Sequence, residues 1–574
     1  MVAWSDVLLW RAAHIETVQD DASAARKAAR EQVQELEAHY NRIASQGLAI
    51  DAMRQALSRV QDELDHAVNA ISAYMLACAE AIDGVRVVEA KVKSALEISE
   101  EIGCTIYDDG SVSIPYIDLS DAVRFEKMAV LQGKYYDLQM CIADALSIAR
   151  KVDEELRRKL QELAEDRFEQ NGPKEGRHSA SPGLPDDADE SWSPSEVSAW
   201  WGALTDEERQ ACIECDPLKY GNLDGIDMAS RDKANRMALY GYDTGGNASI
   251  RLGSTGLLQQ AQDKFDQAQA AYDDCVGAHG LFSDEAMALK AERDRAGRDL
   301  ADLQKIDEQL RTKQASDGTP LSLLALDTSG EQVKAAVAVG DVDHAQHVAN
   351  FTPGMGTNVR DLLDNYVDVA DRIRDNTVEQ ANIEPSDVAV VAWLNYDAPT
   401  DITKTWDTDV ASTEKARAGA DRLAGFLTGV RSWRDEQGGS LHLTSVSHSY
   451  GSTTAGFAMR QMGEGVVDDH IYLASPGSAA YTVGALGVDP SHVWVSAVPE
   501  GDMVQGMGPD VTFGRNPEQL EGIQHLSGDA TGAQGYDPQP SSPVANHSSY
   551  FAPPKPGERN EAFDDVCRVL GGAK

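Results

Sequence analysis

Apolar residues recur at three- and four-residue spacing through most of the first 168 positions, in stretches such as ARKAAREQVQELEAHYNRIA and MRQALSRVQDELDHAVNAISAYMLACAEAI. That spacing predicts long amphipathic helices with one buried stripe. A break at SQGLAID separates the first two, and CTIYDDGSVSIPYIDLS supplies turn chemistry before a third helix resumes at Asp121. Residues 1–168 are therefore expected to form an antiparallel helical bundle or hairpin arm. The periodicity then stops. QNGPKEGRHSASPGLPDDADESWSP is polar and rich in Pro and Gly, so residues 169–192 read as a flexible linker. Ser193, Pro194 and Glu196 have the spacing of a capping box with proline in the first turn. Helix is expected through VSAWWGALTDEERQACIEC, followed by the non-periodic DPLKYGNLDGIDMASRDKANR and a helical hairpin at about 255–314. The two adjacent tryptophans of the first helix need an apolar partner, so residues 193–317 are expected to pack on residues 318–574.

After Asp317 the pattern changes to short apolar runs, SLLALD, KAAVAVG, HVANFTPGMG, VAVVAWLNYDAP, LHLTSVSHS, HIYLASPG and HVWVSAVPEGD. Amphipathic helices such as NVRDLLDNYVDVADRIRD and STEKARAGADRLAGFLTGVRSW lie between several of them. This alternation predicts an α/β unit over residues 318–574, a mostly parallel sheet with helices on both faces. In such sheets functional groups gather at the carboxyl ends of the strands.

At 574 residues the chain exceeds what one core accommodates. Its 42% hydrophobic and 25% charged content is that of a globular protein, with no apolar run of the length that spans a bilayer. The first residues lack a basic segment and a small-residue cleavage site, so a cytoplasmic location or a signal-peptide-independent export route is expected. A net charge of −43 repels a phosphate backbone and argues against nucleic acid as a partner. The seven cysteines are dispersed and odd in number, which argues against a disulfide framework. Cys212 and Cys215 form a lone C-x-x-C without a second pair and are expected to be helix residues rather than metal ligands.

SVSHSYGSTTAGFAMRQ places Ser449 between an apolar strand and a helix rich in small residues. Small residues two before and two after, Ser447 and Gly451, suit a sharp strand-to-helix turn that exposes a nucleophilic hydroxyl. The usual pattern has glycine at both positions, so Ser447 is a departure. Downstream, Asp502 follows the strand HVWVSAV and His547 lies in VANHSSYF, which completes the chain order Ser, Asp, His. Upstream, TPGMGTN is a Gly-rich turn whose amides near Met355 could join that of Tyr450 as an oxyanion hole. Trp393 and Tyr396 are candidates for a pocket wall, with core packing as the alternative. His525 satisfies the same chain order as His547, but His547 lies just before the final helix, where the base of such a site is expected. His448 cannot readily reach its neighbour's hydroxyl and is expected to pack beside the sheet. Chemistry of this kind requires no metal or cofactor.

TPGMGT, VAVVAWLNYDAP, SHSYGSTTAG, LASPG, PEGDMV and HSSYF, with the preceding WWGALTDEERQACIECDPLKYGNLDGIDMASRDKANR, resemble the α/β-hydrolase domains of unknown function common in high-GC Gram-positive bacteria. That family has Gly where this chain has Ser447, and Pro where it has Met503. The resemblance implies an α/β-hydrolase fold of the serine hydrolase kind; the expected reaction is hydrolysis of an ester, thioester or amide in a small-molecule or lipid-like acyl substrate. The helices of the first half, with GCTIYDDGSVS, resemble the hairpins of WXG-type proteins associated with type VII secretion. This implies a protein partner or self-association through those helices. The rival reading is an interaction or secretion-associated protein whose hydrolase domain is weak or inactive.

Overall fold

The computed structural model describes every residue except 1, 44, 114–123, 166–186, 190, 242–254, 401–408 and 573–574. Most of the expected 169–192 linker, and the expected helix start at Asp121, thus fall outside the described residues. The short α1 (Trp4–Val7) precedes the long α2 (Ala12–Arg42), α3 (Leu48–Ile102) and α4 (Arg124–Ala164). Next come α5 (Pro194–Ala203), α6 (Asp206–Cys215), α7 (Pro217–Tyr220) and α8 (Met228–Tyr240), then the hairpin of α9 (Leu257–His279) and α10 (Asp284–Thr312). The sheet region runs β1 (Ser322–Asp327), β2 (Lys334–Val339), β3 (His347–Thr352), α11 (Val359–Ala381), β4 (Val388–Leu394), α12 (Glu414–Glu436), β5 (His442–His448) and α13 (Tyr450–Met459). It ends with β6 (Asp469–Leu473), β7 (Val493–Ser496), α14 (Asp510–Phe513), β8 (Gln524–His525) and α15 (Glu561–Leu570). Among the described residues no helix is long and apolar enough to cross a membrane.

The strands form one sheet in the order β1-β2-β4-β3-β5-β6-β7-β8. β2 is antiparallel to both neighbours and the rest are parallel. Both faces are covered, which is why the central strands read as continuous apolar runs. On one face, Val390, Ala349, Phe351, Val446 and Ile471 meet α11 and α15. On the other, Val391, Val348, Leu443 and Tyr472 meet α12 and α13. β4 lies to one side of β3 and β5 to the other, so the chain leaves β3 and β5 toward opposite faces. The gap between the carboxyl ends of these two strands is a topological switch point, where ligands bind in open α/β sheets.

The first helices share that core. Val88, Val92 and Ile98 of α3 and Leu138, Ile142 and Ala145 of α4 are buried in the same cluster as α12 and α13. Asp137 of α4 is fully buried, pairing with Arg460 at 3.0 Å and accepting the Tyr481 amide at 2.7 Å. Trp200 and Trp201 stack around Tyr220 and sit with Met75, Leu76 and Trp433, which joins α3 to α12 through α5. The expected capping box is only half made. Ser193 accepts the Glu196 amide, but the Glu196 carboxylate is turned inward to Lys159 at 2.9 Å because the helix start is buried.

β1 is an edge strand, and unpaired edge groups invite pairing with another chain. Here α8 and the loop before it occupy that edge. Arg231 donates to the Leu324 carbonyl at 2.7 Å, Asn235 to that of Leu323 at 3.0 Å, and Asn222 both donates to and accepts from Leu326.

Two consequences are testable. Removing one partner of a buried ion pair costs about 3–5 kcal/mol, so Asp137→Ala is expected to lower the urea midpoint clearly, and Asp137→Asn, which keeps an acceptor for Tyr481, to lower it less. A midpoint unchanged in Asp137→Ala would show that this pair does not hold the helices to the sheet. The second concerns His470, fully buried on β6, whose burial holds its pKa down to about 3. Since the unfolded chain binds the proton first, its contribution is complete above the ordinary value of about 6.5 and declines as pH falls from there toward 3. Urea melts from pH 7 to 5 should show His470→Gln losing less stability than wild type, by about 2 kcal/mol over that range.

Candidate active site

β5 delivers Ser449 at the switch point. Its backbone has φ 57° and ψ −136°, a conformation that costs a residue with a side chain about 1–3 kcal/mol. The strain is held by neighbours: the Ser449 amide donates to the Leu473 carbonyl at 3.0 Å, and the Ser452 hydroxyl donates to the Ser449 carbonyl at 2.6 Å. Gly451 is required by space, since a Cβ there would lie 2.3 Å from the Pro353 carbonyl oxygen. The place of Ser447 needs smallness rather than glycine. Its backbone is ordinary strand, paired with Thr352 and Tyr472, and its buried hydroxyl donates to the Ile471 carbonyl at 2.9 Å.

The turn after β3 lies directly against this serine. A Cβ on Gly354 would be 2.6 Å from the Ser449 Cβ, 2.9 Å from its Oγ and 2.9 Å from the Tyr450 nitrogen, so only glycine fits. The amides of Met355 and Tyr450 have no acceptor among the described residues. Two donors beside a strained hydroxyl are the parts from which an oxyanion hole is made. Of Trp393 and Tyr396, expected as possible pocket wall, Trp393 is packed in the core, whereas the largely buried Tyr396 lines a cavity with Asp397, Gly419 and Arg422. Trp393 is completely enclosed on β4 and stacks on Tyr396 at 5.9 Å. The buried Tyr396 hydroxyl donates to the Pro353 carbonyl at 2.7 Å and so props the Gly354 turn from beneath. Trp393, a strand residue with both faces of its sheet covered, has no open side from which to wall a cleft.

Asp502 follows β7 with its side chain wholly buried, and its Oδ1 lies 2.8 Å from His547 Nδ1. Burial pushes the Asp502 carboxyl up, but hydrogen bonds from His547 and Tyr550 outweigh it and hold the acid below its ordinary range. A carboxylate only accepts, so the His547 Nδ1 carries a proton, and in a neutral ring Nε2 is the nitrogen left to accept. Ser449 Oγ and His547 Nε2 have no hydrogen bond among the described residues. The second Asp502 oxygen accepts from the Tyr550 hydroxyl at 2.8 Å, which itself accepts the Val498 amide at 2.8 Å. His525 is exposed on β8, the far edge strand, paired with Val495.

Three supporting residues escape a reading of the sequence. Tyr550 stands three positions after His547, within VANHSSYF, yet nothing local marks its hydroxyl as the partner of Asp502. Asn546 is fully buried, and its amide donates to the carbonyls of Glu500 and Asp537, tying the histidine loop to the acid loop. His448, expected beside the sheet, does lie there against Tyr550 and Phe551. Its Nε2 is also 2.8 Å from the His547 carbonyl oxygen.

Residues 327–512 match the family model described as alpha/beta hydrolase, a span that includes Met355, Ser449 and Asp502 but not His547. The chain is 29% identical over 311 residues to an uncharacterized protein of Mycobacterium tuberculosis, a match covering 53% of this chain and 42% of that relative. It thus spans less than half the length of that relative. A second uncharacterized protein of the same organism is 33% identical over 233 residues, covering 40% of this chain and 83% of the relative. A solved dienelactone hydrolase from Anabaena variabilis aligns with a TM-score of 0.25 and 14% identity over 43% of this chain and 94% of that one. With its parallel sheet, its strand-to-helix serine turn, and a relative matched at 33% identity over 83% of its length, the chain belongs to the alpha/beta hydrolase family.

Proposed function

We propose that this protein is a serine hydrolase in which Ser449, His547 and Asp502 act as a triad on an ester, thioester or amide. The observation that supports the reading is the 2.8 Å Asp502–His547 pair, whose histidine packs on His448, the residue before a strained serine under a glycine turn. Ser449 attacks the acyl carbon while His547 Nε2 takes its proton, and the tetrahedral oxyanion is met by the amides of Tyr450 and Met355, each worth about 3 kcal/mol in comparable sites. His547 then protonates the leaving group, and water releases the acyl group by the same steps in reverse roles. Asp502 keeps the imidazole in the working tautomer and stabilises its charged form. The substrate class is a small-molecule or lipid-like acyl compound.

A fluorophosphonate probe is expected to label the wild-type chain and not Ser449→Ala. Turnover of p-nitrophenyl butyrate is expected to fall by about 10⁴-fold in Ser449→Ala and His547→Ala, and by a similar or smaller factor in Asp502→Ala. His525→Ala, on the far edge strand, should keep most of the activity. Labelling that survives Ser449→Ala, or activity that survives His547→Ala in a folded protein, would remove the triad. Tyr550→Phe takes one charge-assisted hydrogen bond from Asp502, and a loss of about tenfold in kcat with KM little changed is expected.

A further inference from the structure

His448 is buried between β5 and the segment that carries His547. Its side chain lies on the face covered by α15, the same face as Val446 two residues earlier. Its ring sits 4.6 Å from that of His547, 6.0 Å from Tyr550 and 5.5 Å from Phe551, so three of the five residues from His547 to Phe551 pack around it. Its Nε2 meets the His547 carbonyl oxygen at 2.8 Å. A carbonyl oxygen carries no proton, so Nε2 must be the donor and the ring has its proton on that nitrogen. The ring is neutral, because burial and the neighbouring His547 press its pKa down to about 3. Nothing in the triad chemistry consumes this donor, since the carbonyl it holds belongs to the main chain.

We infer that His448 is a positioning residue that anchors the main chain of His547 through its Nε2–H, fixing from the nucleophile's own strand where the base stands. This rests on the reading of His547 as the base. The residue before Ser449 and the carbonyl of His547 are joined by one hydrogen bond, so serine and histidine share a reference point although 98 positions part them in the chain. The other anchors of this segment run elsewhere, Asn546 to the acid loop and Tyr550 to Asp502. His448 is the tie to β5. A displacement of about 1 Å between reacting groups can cost about 100-fold in rate, so one such tie has a measurable effect.

The test uses the full chain with His448→Phe, which keeps the ring but has no donor, and His448→Gln, whose amide can still donate. His448→Leu serves as a second donorless variant should Phe not be accommodated. Two quantities are read: hydrogen exchange of peptides spanning 543–552, and kcat and KM on p-nitrophenyl butyrate. Exchange in that segment is expected to quicken about tenfold without the donor, and kcat to fall by about 100-fold with KM changed little. His448→Gln is expected to restore most of both. Unchanged exchange and kcat in the donorless variants would overturn the inference, as would a Gln variant no better than Phe and Leu. If exchange responds and Gln rescues it, but wild-type turnover does not depend on Ser449, the anchor stands and the triad reading falls.

Discussion

Thr352 and Ser447 lie side by side on neighbouring parallel strands, and immediately beyond them the two chains turn away to opposite faces of the sheet. Everything at the candidate site depends on that parting. It opens a gap at the carboxyl edge, and it brings the Gly354 turn so close to Ser449 that a single Cβ would collide with it. The serine's positive φ is tolerated because Leu473, Ser452 and the walls around Gly451 hold it. The strain, the placing of the hydroxyl at the gap and the two unbonded amides are thus consequences of one pairing register.

The electrostatics of the site depend on how completely Asp502 is enclosed. A buried carboxylate is costly unless its oxygens are bonded. Here one oxygen accepts a hydrogen bond from His547 Nδ1 and the other from the Tyr550 hydroxyl, which keeps the acid ionised and fixes a proton on Nδ1. The histidine loop is in turn held by side chains from several directions. The geometry is a property of the whole edge of the sheet rather than of three residues.

A chain with a net charge of −43 has few cations to place, and several are buried and spent on main-chain oxygens. Arg434 donates to the carbonyls of Val342, Ala345 and Ser440, Arg431 to those of Val466 and Leu441, Arg374 to those of Val388 and Pro385, and Arg231 to Leu324. A guanidinium offers five donors in a rigid fork, so one residue can satisfy loop carbonyls that no helix or strand can reach. These arginines stitch strand ends to connections. Arg460 does the same between Ala479 and Asp137, and through it the N-terminal helices are bound to the sheet.

Local pattern by itself determined the long helices, the alternation that makes the second half an α/β sheet, and the order in which Ser449, Asp502 and His547 occur. These are written at the scale of one or two turns or one strand, where periodicity and turn chemistry act. Which strands are neighbours was decided only by the tertiary structure, because a fully buried strand is apolar on both faces and its sequence does not say what covers either one. That ambiguity is why Trp393 and Tyr396 read equally as wall or core, and why the sequence leaves open whether the core runs from α3 and α4 through α12 and α13. It is also why Ser447, which departs from the usual glycine, fits as an ordinary strand residue with a satisfied hydroxyl, and why Glu196 turns from its cap to Lys159. The partners that matter most to the site, Tyr550 for Asp502 and His448 for the His547 carbonyl, lie 48 and 99 positions away along the chain. A hydrogen bond closed over such a distance leaves no periodic mark on the residues that make it. It exists only once the sheet has brought its carboxyl ends together.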